Sequence, residues 1–209
     1  MTLQEIGQKA KEVSHVLGIL GTEEKNRGLR AVADALVSGQ DGILAANEKD
    51  MEKARENGMS QGLLDRLKLT PARIEGMAEG LRQVADLEDP VGEVISMKQR
   101  PNGLMIGQKR VPLGVIGMIY EARPNVTADA FGLCFKIGNA VILKGGSDAI
   151  YSNLAIVEQI RKGLSDAGLP EDAVLLIADT SRAVTRDFMK LNEYVDVLIP
   201  RGGAGLIKT

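Results

Sequence analysis

The sequence predicts an α/β protein in which a group of N-terminal helices precedes a doubly wound, mostly parallel sheet. Over the first ninety or so residues, apolar residues recur at three- and four-residue steps, as they do on one face of a helix. After that point, short continuous apolar runs alternate with helical stripes, a pattern typical of parallel strands covered on both faces. We therefore expect a helical segment at 1–90 and an α/β domain at 91–209, packed as one unit.

The composition limits the classes of function. The chain has 209 residues, 44% of them hydrophobic, and a net charge of -2, which fits one sizeable core or two small ones. This charge gives no basic patch for nucleic acid or for a membrane surface. A single cysteine, the absence of a signal-peptide pattern and the lack of any apolar run of roughly 18 residues favour a cytoplasmic protein. Neither nucleic acid nor membrane is expected as a partner.

Two local patterns mark boundaries within the chain. Thr70 and Pro71 form the clearest helix start, with threonine as the cap and proline in the first helical position. Pro101-Asn102-Gly103 separates two short runs after residue 92 and predicts a hairpin.

Four apolar runs beyond the hairpin predict the strands of the sheet. Their sequences are LGVIGMIY (113–120), AVILK (140–144), AVLLIA (173–178) and VDVLIP (195–200). Helical stripes at 128–137, 154–164 and 184–191 separate them. Sheets of this kind bind ligands at the carboxyl ends of their strands, so the residues that follow each run are the candidates for function.

The first strand end carries Glu121, Arg123, Pro124 and Asn125 before a helix begins. Asn125 has two interpretations of about equal weight. It is either a helix cap or a side-chain amide that donates a hydrogen bond to an oxyanion developing on a carbonyl substrate.

The second strand end reads Lys144-Gly145-Gly146-Ser147. The glycines leave room for a ligand near the backbone, and Ser147 or Asp148 starts the next helix. On these residues alone, a lysine that snorkels from an ordinary loop is the favoured interpretation. The usual Gly-x-Gly-x-x-Gly dinucleotide loop is absent.

The remaining strand ends are weaker signals. After the third, Thr180 or Ser181 is expected to cap a helix. After the fourth, Arg201, Gly202, Gly203 and Gly205 precede a predicted helix, whose N-terminus favours an anion.

Two residues have plain interpretations. Cys134 is flanked by Phe131, Leu133 and Phe135, a setting that hides a thiol and raises its pKa, so we do not expect it to be a nucleophile. His15 is expected on the surface of the first helix, and no histidine, cysteine or carboxylate cluster has metal-ligand spacing.

Longer motifs add a resemblance to a known family. The segments PLGVIG, GNAVILKGG and AGLP are similar to signatures of the aldehyde dehydrogenase superfamily, and YEARPNVT and IPRGGAGLI mark one branch. From the first helix to Thr209, the chain resembles the γ-glutamyl phosphate reductases (glutamate-5-semialdehyde dehydrogenases), which have a Rossmann-like cofactor domain.

The resemblance implies reduction of L-glutamyl 5-phosphate to L-glutamate 5-semialdehyde with NADPH, a step of proline biosynthesis. It implies that Lys144 bonds the adenosine ribose and that the turn from Gly202 to Gly205 faces the pyrophosphate, with Gly145, Gly146 and Arg201 beside them. NAD-using relatives commonly carry a glutamate at the position of Ser147. A serine leaves space and positive charge for a 2′-phosphate, so we expect NADPH rather than NADH.

The resemblance also implies roles for three residues at the first strand end. Asn125 matches the oxyanion asparagine, and Glu121 and Arg123 are candidates for the substrate, Arg123 for its carboxylate or phosphate.

In this family the nucleophilic cysteine lies in a second α/β domain, and a late segment completes a homo-oligomer. The chain therefore resembles the cofactor-binding half of a longer enzyme, and we expect a truncated form. A stand-alone nucleotide-binding module without catalysis is an alternative. A further alternative is a remnant in which DVLIP forms an exposed sheet edge that invites self-association.

Overall fold

The computed structural model describes residues 1–121 and 123–202 of the chain, and these form eight α-helices and six strands. The helices are α1 Leu3–Leu17, α2 Thr22–Ser38, α3 Gln40–Glu56, α4 Gln61–Leu67, α5 Pro71–Asp86, α6 Asn125–Lys136, α7 Ile150–Asp166 and α8 Arg182–Phe188. The strands are β1 Val94–Gln99, β2 Met105–Lys109, β3 Val115–Tyr120, β4 Ala140–Lys144, β5 Val174–Leu176 and β6 Val197–Arg201. The predicted order of helices, hairpin and alternating strands and helices is confirmed.

Helix starts follow the local chemistry of the sequence. The Thr70 hydroxyl accepts a hydrogen bond from the backbone N–H of Arg73 at 3.2 Å, with Pro71 in the first helical position of α5, as predicted. Ser181, rather than Thr180, caps α8 by accepting from the N–H of Val184.

The main sheet has four parallel strands in the order β5-β4-β3-β6. Several boundaries differ from the sequence prediction. Helix α7 begins at Ile150, four residues before the predicted stripe. Strand β5 has only three residues, α6 begins three residues earlier than the predicted stripe, and α8 ends at Phe188 rather than Leu191. Apolar periodicity marks where an element is buried, whereas its ends depend on caps and turns.

The centre of the sheet is covered on both faces. All five residues of β4 are buried, although successive side chains of a strand point to opposite faces. Helices α1 and α6 both contact this strand. Buried residues of the helices and the sheet form a continuous apolar cluster that includes Leu36, Phe131 and Ile142.

Strand β6 departs from the prediction of a strand covered on both faces. It pairs with β3 along one side, and Ile199, Pro200 and Arg201 are exposed. Ile199, an apolar residue, keeps 39% of its surface exposed. The expected exposed edge at DVLIP is therefore present, although its role in self-association stays a prediction.

The hairpin of β1 and β2 is a separate antiparallel two-stranded sheet. Its strands carry several exposed apolar side chains, among them Val94, Ile95, Met97, Met105 and Ile106.

The strand order positions the ligand-binding region. Strands β3, β4 and β5 follow one another across the sheet, and the chain then returns to place β6 on the other side of β3. The order reverses between β3 and β6, and open α/β sheets bind ligands in the crevice outside the carboxyl ends at such a reversal.

The helices are also informative about membranes. Within residues 1–121 and 123–202, no helix has both the length and the apolar character needed to cross a bilayer.

Candidate functional site

A cleft of about 550 Å³ opens at the carboxyl ends of β3, β4 and β6, and we call it the strand-end cleft. It is lined by Tyr120, Glu121, Arg123, Val126, Gly146, Ser147, Asp148, Arg201, Gly202 and, from the region of α4, Met59, Leu63 and Arg66. The sheet register aligns Tyr120 with Arg201 and Ile119 with Lys144. Residues predicted at three separate strand ends therefore meet.

Lys144 is the last residue of β4 and is only 3% exposed, so the interpretation of a snorkelling lysine is wrong. Its Nζ donates a hydrogen bond to the carbonyl oxygen of Gly145 at 3.1 Å. Burial lowers the pKa of the Lys144 ammonium below its ordinary value, and the nearby carboxylate of Asp179 opposes this shift. The ammonium therefore has a hydrogen-bond partner from its own loop and a carboxylate close enough to stabilise its charge.

Gly145 lies directly over a buried chain of hydrogen bonds. A Cβ atom at this position would collide with Nδ2 of Asn153. Below the glycine, the Tyr120 hydroxyl and the Thr127 hydroxyl are 2.7 Å apart, and Thr127 donates to Oδ1 of Asn153 at 2.9 Å. The glycine thus lets the loop after β4 lie close to α6 and α7.

Ser147 starts a short 3₁₀ turn that leads into α7, as expected. Its side chain is exposed and makes a 3.3 Å hydrogen bond to Oδ1 of Asp148. The Ser147 hydroxyl therefore lies at the edge of the strand-end cleft and leaves its interior open.

Arg201 and Gly202 line the opposite wall of the strand-end cleft, where β6 ends. Arg201 is exposed. Gly203 and Gly205, which the sequence placed at a helix N-terminus, lie outside the described residues.

Asn125 is not a helix cap, because Pro124 occupies the N-cap position of α6 and Asn125 is the first helical residue. Its side-chain Nδ2 donates a hydrogen bond to Oδ2 of Asp129, one turn along the helix, at 3.3 Å. An asparagine amide has two N–H groups, so this bond leaves the second available. The second interpretation, in which the Asn125 amide donates to an oxyanion, does not depend on the cap and stays a prediction.

Asn125 lines a second cleft, of about 530 Å³, between α4, α5 and α6, which we call the α4–α6 cleft. Its polar lining residues are Asp65, Arg66, Lys68, Arg73, Arg123, Asn125 and Asp129. Arg66 and Arg123 border both clefts, so the two clefts are neighbours. Of the candidate residues after β3, Glu121 therefore lines the strand-end cleft, Asn125 lines the α4–α6 cleft and Arg123 lines both.

Sequence reasoning missed Arg66, Lys68 and Asp129. The first two belong to the short α4 and the residue after it, far from any strand end in the sequence. Asp129 could have been found from its spacing, since residues four apart share a face of a helix.

The two substrate candidates of the first strand end are both exposed. Glu121 lines the strand-end cleft, and Arg123 lines both clefts. The backbone N–H of Arg123 donates to the carbonyl oxygen of Glu121 at 2.9 Å, just before α6.

Cys134 and His15 behave as predicted. Cys134 is buried in α6, and burial raises the pKa of its thiol to about 12. His15 is exposed near the end of α1. Within the described ranges, no three histidine, cysteine or carboxylate side chains are grouped in a way that could hold a metal ion.

The combined geometry suits a large anionic ligand. Arg66, Arg123 and Arg201 border the strand-end cleft, and guanidinium groups bind phosphate and carboxylate oxygens in a bidentate fashion. Lys144, at the end of β4, adds a further positive charge beside this cleft.

The fold and this site define an α/β protein with a cation-lined cleft at a reversal of strand order, and sequence comparison gives its family. The model of the aldehyde dehydrogenase family matches residues 2–203. The chain belongs to the aldehyde dehydrogenase family.

Particular relatives narrow the comparison. A γ-glutamyl phosphate reductase of Lachnospira eligens is 60% identical over 207 residues, which are 99% of this chain and 50% of the relative. The crystal structure of a γ-glutamyl phosphate reductase from Thermotoga maritima superposes with a TM-score of 0.96 at 45% identity, covering 99% of this chain and 50% of that one. The corresponding enzyme of Saccharomyces cerevisiae gives a TM-score of 0.89 at 33% identity, covering 100% and 53%. The chain thus spans about half the length of the curated relatives it matches.

Proposed function

We propose that this chain is the cofactor-binding portion of an enzyme that reduces L-glutamyl 5-phosphate to L-glutamate 5-semialdehyde and phosphate, with NADPH as reductant, in L-proline biosynthesis. The γ-glutamyl phosphate reductases among its relatives support the reaction, and those proteins are about twice as long as the matched segment. Activity of the 209-residue chain on its own is a separate question.

One observation carries the proposal for the cofactor. Ser147, Arg201 and Gly202, which follow or end two strands far apart in the sequence, line one cleft at the reversal of strand order, and Lys144 is the last residue of the strand that precedes Ser147. This is the location where doubly wound sheets bind nucleotides.

The residues present fit NADPH. Gly145 allows close approach of the loop that carries Lys144 and Ser147, because a Cβ there would collide with Asn153. Lys144 would hold the adenosine ribose, Gly202 with Arg201 would approach the pyrophosphate, and Ser147 beside Lys144 would accommodate the 2′-phosphate. When bound, the cofactor supplies the hydride.

The chain's own residues would act on the substrate in the neighbouring space. The N–H group of Asn125 that Asp129 does not use would donate a hydrogen bond to the substrate carbonyl oxygen as negative charge develops there. Arg123 would bind a substrate anion at the boundary between the clefts. The single cysteine of the sequence, Cys134, is buried with a raised pKa, so the thiolate nucleophile must come from another segment.

We also propose a cytoplasmic homo-oligomer as the working form. The exposed apolar side chains of β1 and β2 support a protein interface on this hairpin, since large exposed apolar patches are uncommon on free monomers.

A second candidate function is a stand-alone nucleotide-binding module without catalysis. The inaccessible thiol of Cys134 favours it, because no other residue of the chain offers thiol chemistry. This candidate predicts cofactor binding without turnover.

The first experiment is a pair of fluorescence titrations of the purified chain with NADPH and NADH. We expect tighter binding of NADPH and a loss of roughly tenfold or more in Lys144→Ala, because a charge-assisted hydrogen bond contributes about 1.5–3 kcal/mol. Lys162→Ala is the matched control, since Lys162 is an ordinary residue of α7 outside both clefts. Equal weak binding of both nucleotides by the folded chain would contradict the cofactor proposal.

A second measurement separates the two candidate functions. Reduction of L-glutamyl 5-phosphate by the purified chain would exclude the module without catalysis. Sequencing past the codon for Thr209 at the source locus tests the longer enzyme, which requires a continuing frame with a cysteine-bearing segment.

A further inference from the structure

The α4–α6 cleft carries more positive than negative side chains when the ion pair between two of its own residues is excluded. Asp65 and Arg73 neutralise each other, with Nη2 of Arg73 at 3.2 Å from Oδ1 of Asp65. Nη1 of Arg73 also donates to the carbonyl oxygen of Lys68 at 2.6 Å, so this guanidinium is committed to the link between α4 and α5. The other charged groups of the cleft are available to a ligand.

Three of those groups are cations. Within the described part of the chain, the side chains of Arg66, Lys68 and Arg123 form no hydrogen bond or ion pair. All three residues are exposed at the cleft, two of them at its boundary with the strand-end cleft. These three cations can therefore bind more than one anionic group of a ligand.

Asp129 is the one carboxylate of the cleft without an ion-pair partner among the described residues. Desolvation by neighbouring atoms raises its pKa, while the charge of Arg201 and the hydrogen bond from Asn125 act in the opposite direction. Among the described residues, its one side-chain hydrogen bond comes from the neutral Asn125 amide, at 3.3 Å. An added cationic group at this carboxylate would therefore gain a favourable partner.

We propose that the α4–α6 cleft recognises an acidic α-amino acid, and that Asp129 is the specificity-determining residue that binds its α-ammonium group. Arg66 and Lys68 bind the α-carboxylate. The proposal rests on the proposed function, which needs an acyl group beside the cofactor, and it adds how the amino-acid part of that substrate is selected.

The charge balance supports this assignment. One carboxylate and three unpaired cations complement a ligand with one ammonium and several negative charges, as in an amino acid that carries a side-chain acyl phosphate. The contact between Asn125 and Asp129 also links carbonyl activation and ammonium recognition on adjacent turns of α6.

Asp129 has a competing role, which is to orient the Asn125 amide and nothing more. The two roles separate in Asp129→Asn, because an asparagine oxygen still accepts the bond from Asn125 but carries no charge for an ammonium. A purely orienting Asp129 therefore predicts unchanged ligand preference in this variant.

The test is an NMR titration of the ¹⁵N-labelled 209-residue chain with L-glutamate and, separately, with glutarate, which lacks only the ammonium group. We expect the chain to bind L-glutamate roughly tenfold more tightly than glutarate, since hydrogen bonds to charged groups contribute about 1.5–3 kcal/mol. In Asp129→Asn the ratio is expected to fall to about one. In Arg66→Gln both ligands are expected to weaken together at an unchanged ratio.

Asp65→Asn is the matched control. It removes the same charge from the same cleft, but from a carboxylate that Arg73 already neutralises, so the preference for L-glutamate is expected to persist. An unchanged preference in Asp129→Asn, or no binding of L-glutamate to the native chain, would overturn the proposal.

NADPH titrations of the same samples keep the two proposals apart. NADPH binding without a preference for L-glutamate means that the amino-acid site is wrong and the cofactor site is right. A preference for L-glutamate without NADPH binding means the reverse.

Discussion

Asp50 of α3 accepts a hydrogen bond from the backbone N–H of Ser152 in α7, with 2.7 Å between Oδ2 and the nitrogen. The same carboxylate accepts from the Ser152 hydroxyl at 2.6 Å and from the backbone N–H of Tyr151 at 3.2 Å. An α3 carboxylate therefore satisfies the first turn of the helix that follows the Lys144 loop, and it joins the helical segment to the sheet domain.

This relationship predicts a large loss of stability in Asp50→Ala. Removing the carboxylate leaves two backbone N–H groups and the hydroxyl proton of Ser152 without an acceptor, which costs about 3–5 kcal/mol in the free energy of unfolding. Urea denaturation measures it. Asp41→Ala, at an exposed site in the first turn of the same helix, is expected to change stability by less than about 0.5 kcal/mol. Equal losses of stability in the two variants would show that the hydrogen bonds of Asp50 do not stabilise the contact between α3 and α7.

A second prediction concerns the pH dependence of stability. Lys25 and Asp89 form a buried ion pair, and Asp89 also accepts hydrogen bonds from Thr22 and Val91. Burial alone would raise the pKa of Asp89, but the bonds from Lys25, Val91 and Thr22 outweigh it, and the net pKa lies below its ordinary value.

Because its folded-state pKa is lowered, Asp89 contributes stability that is present above the unfolded-state pKa of about 3.9 and is lost as the pH falls through the folded value. Asp89→Asn is expected to flatten the fall in unfolding free energy below about pH 4. Denaturation at several pH values checks this, with Glu88→Gln at the exposed neighbouring position as control. If the unfolding free energy of Asp89→Asn falls with decreasing pH as steeply as that of the native protein, Asp89 is not a main source of the pH dependence.

A third prediction uses the close contact of α2 and α7. A Cβ atom at Gly163 would lie 2.7 Å from Cα of Val32 and 2.9 Å from its backbone nitrogen. Backbone atoms cannot rotate away, so Gly163→Ala is expected to destabilise the fold by about 1–3 kcal/mol despite the better helix propensity of alanine.

Gly80→Ala provides the contrast, because nothing lies within 4 Å of an added Cβ in α5. This variant is expected to gain up to about 1 kcal/mol. Thermal denaturation of both variants gives the comparison, and stabilisation of both would mean that the two helices separate easily.

A fourth prediction addresses cofactor selectivity. Ser147 is exposed at the edge of the strand-end cleft, and a carboxylate there would repel a 2′-phosphate. We expect Ser147→Glu to weaken NADPH binding by about tenfold or more while NADH binding changes little. Ser147→Gln has a similar size without the charge and should retain the preference for NADPH. Parallel loss in both variants would indicate a steric effect instead.

A fifth prediction concerns the single thiol. Because burial raises the pKa of Cys134 to about 12, its thiolate is scarce at neutral pH, and iodoacetamide should label the folded chain slowly. Labelling should become fast in denaturant, and Cys134→Ser should abolish it. Rapid labelling under native conditions would show that α6 opens readily.

Each apolar run stops at polar residues and glycines, so the sequence alone locates the strand ends that carry Lys144, Ser147 and Arg201. Their roles at a cofactor come from the family resemblance, because on the residues alone a snorkelling lysine is the favoured interpretation. Arg66 and Lys68 could not be found, since α4 has only seven residues and its approach to the cleft depends on packing between distant segments. The exposure of β6 follows only from one alternative interpretation of the sequence, because an apolar sequence indicates a tendency to be buried, whereas the neighbours available decide whether burial occurs.

The pairing of β6 with β3 has a consequence for protein synthesis. The ribosome makes β3 first, then β4 and β5, and only afterwards the strand that supplies Arg201 opposite Tyr120. Helices and adjacent strands can assemble as they emerge, because their contacts are local, but the second wall of the strand-end cleft must wait for β6. A nascent chain released before β6 would therefore bury much of its apolar core and still lack one side of its nucleotide crevice.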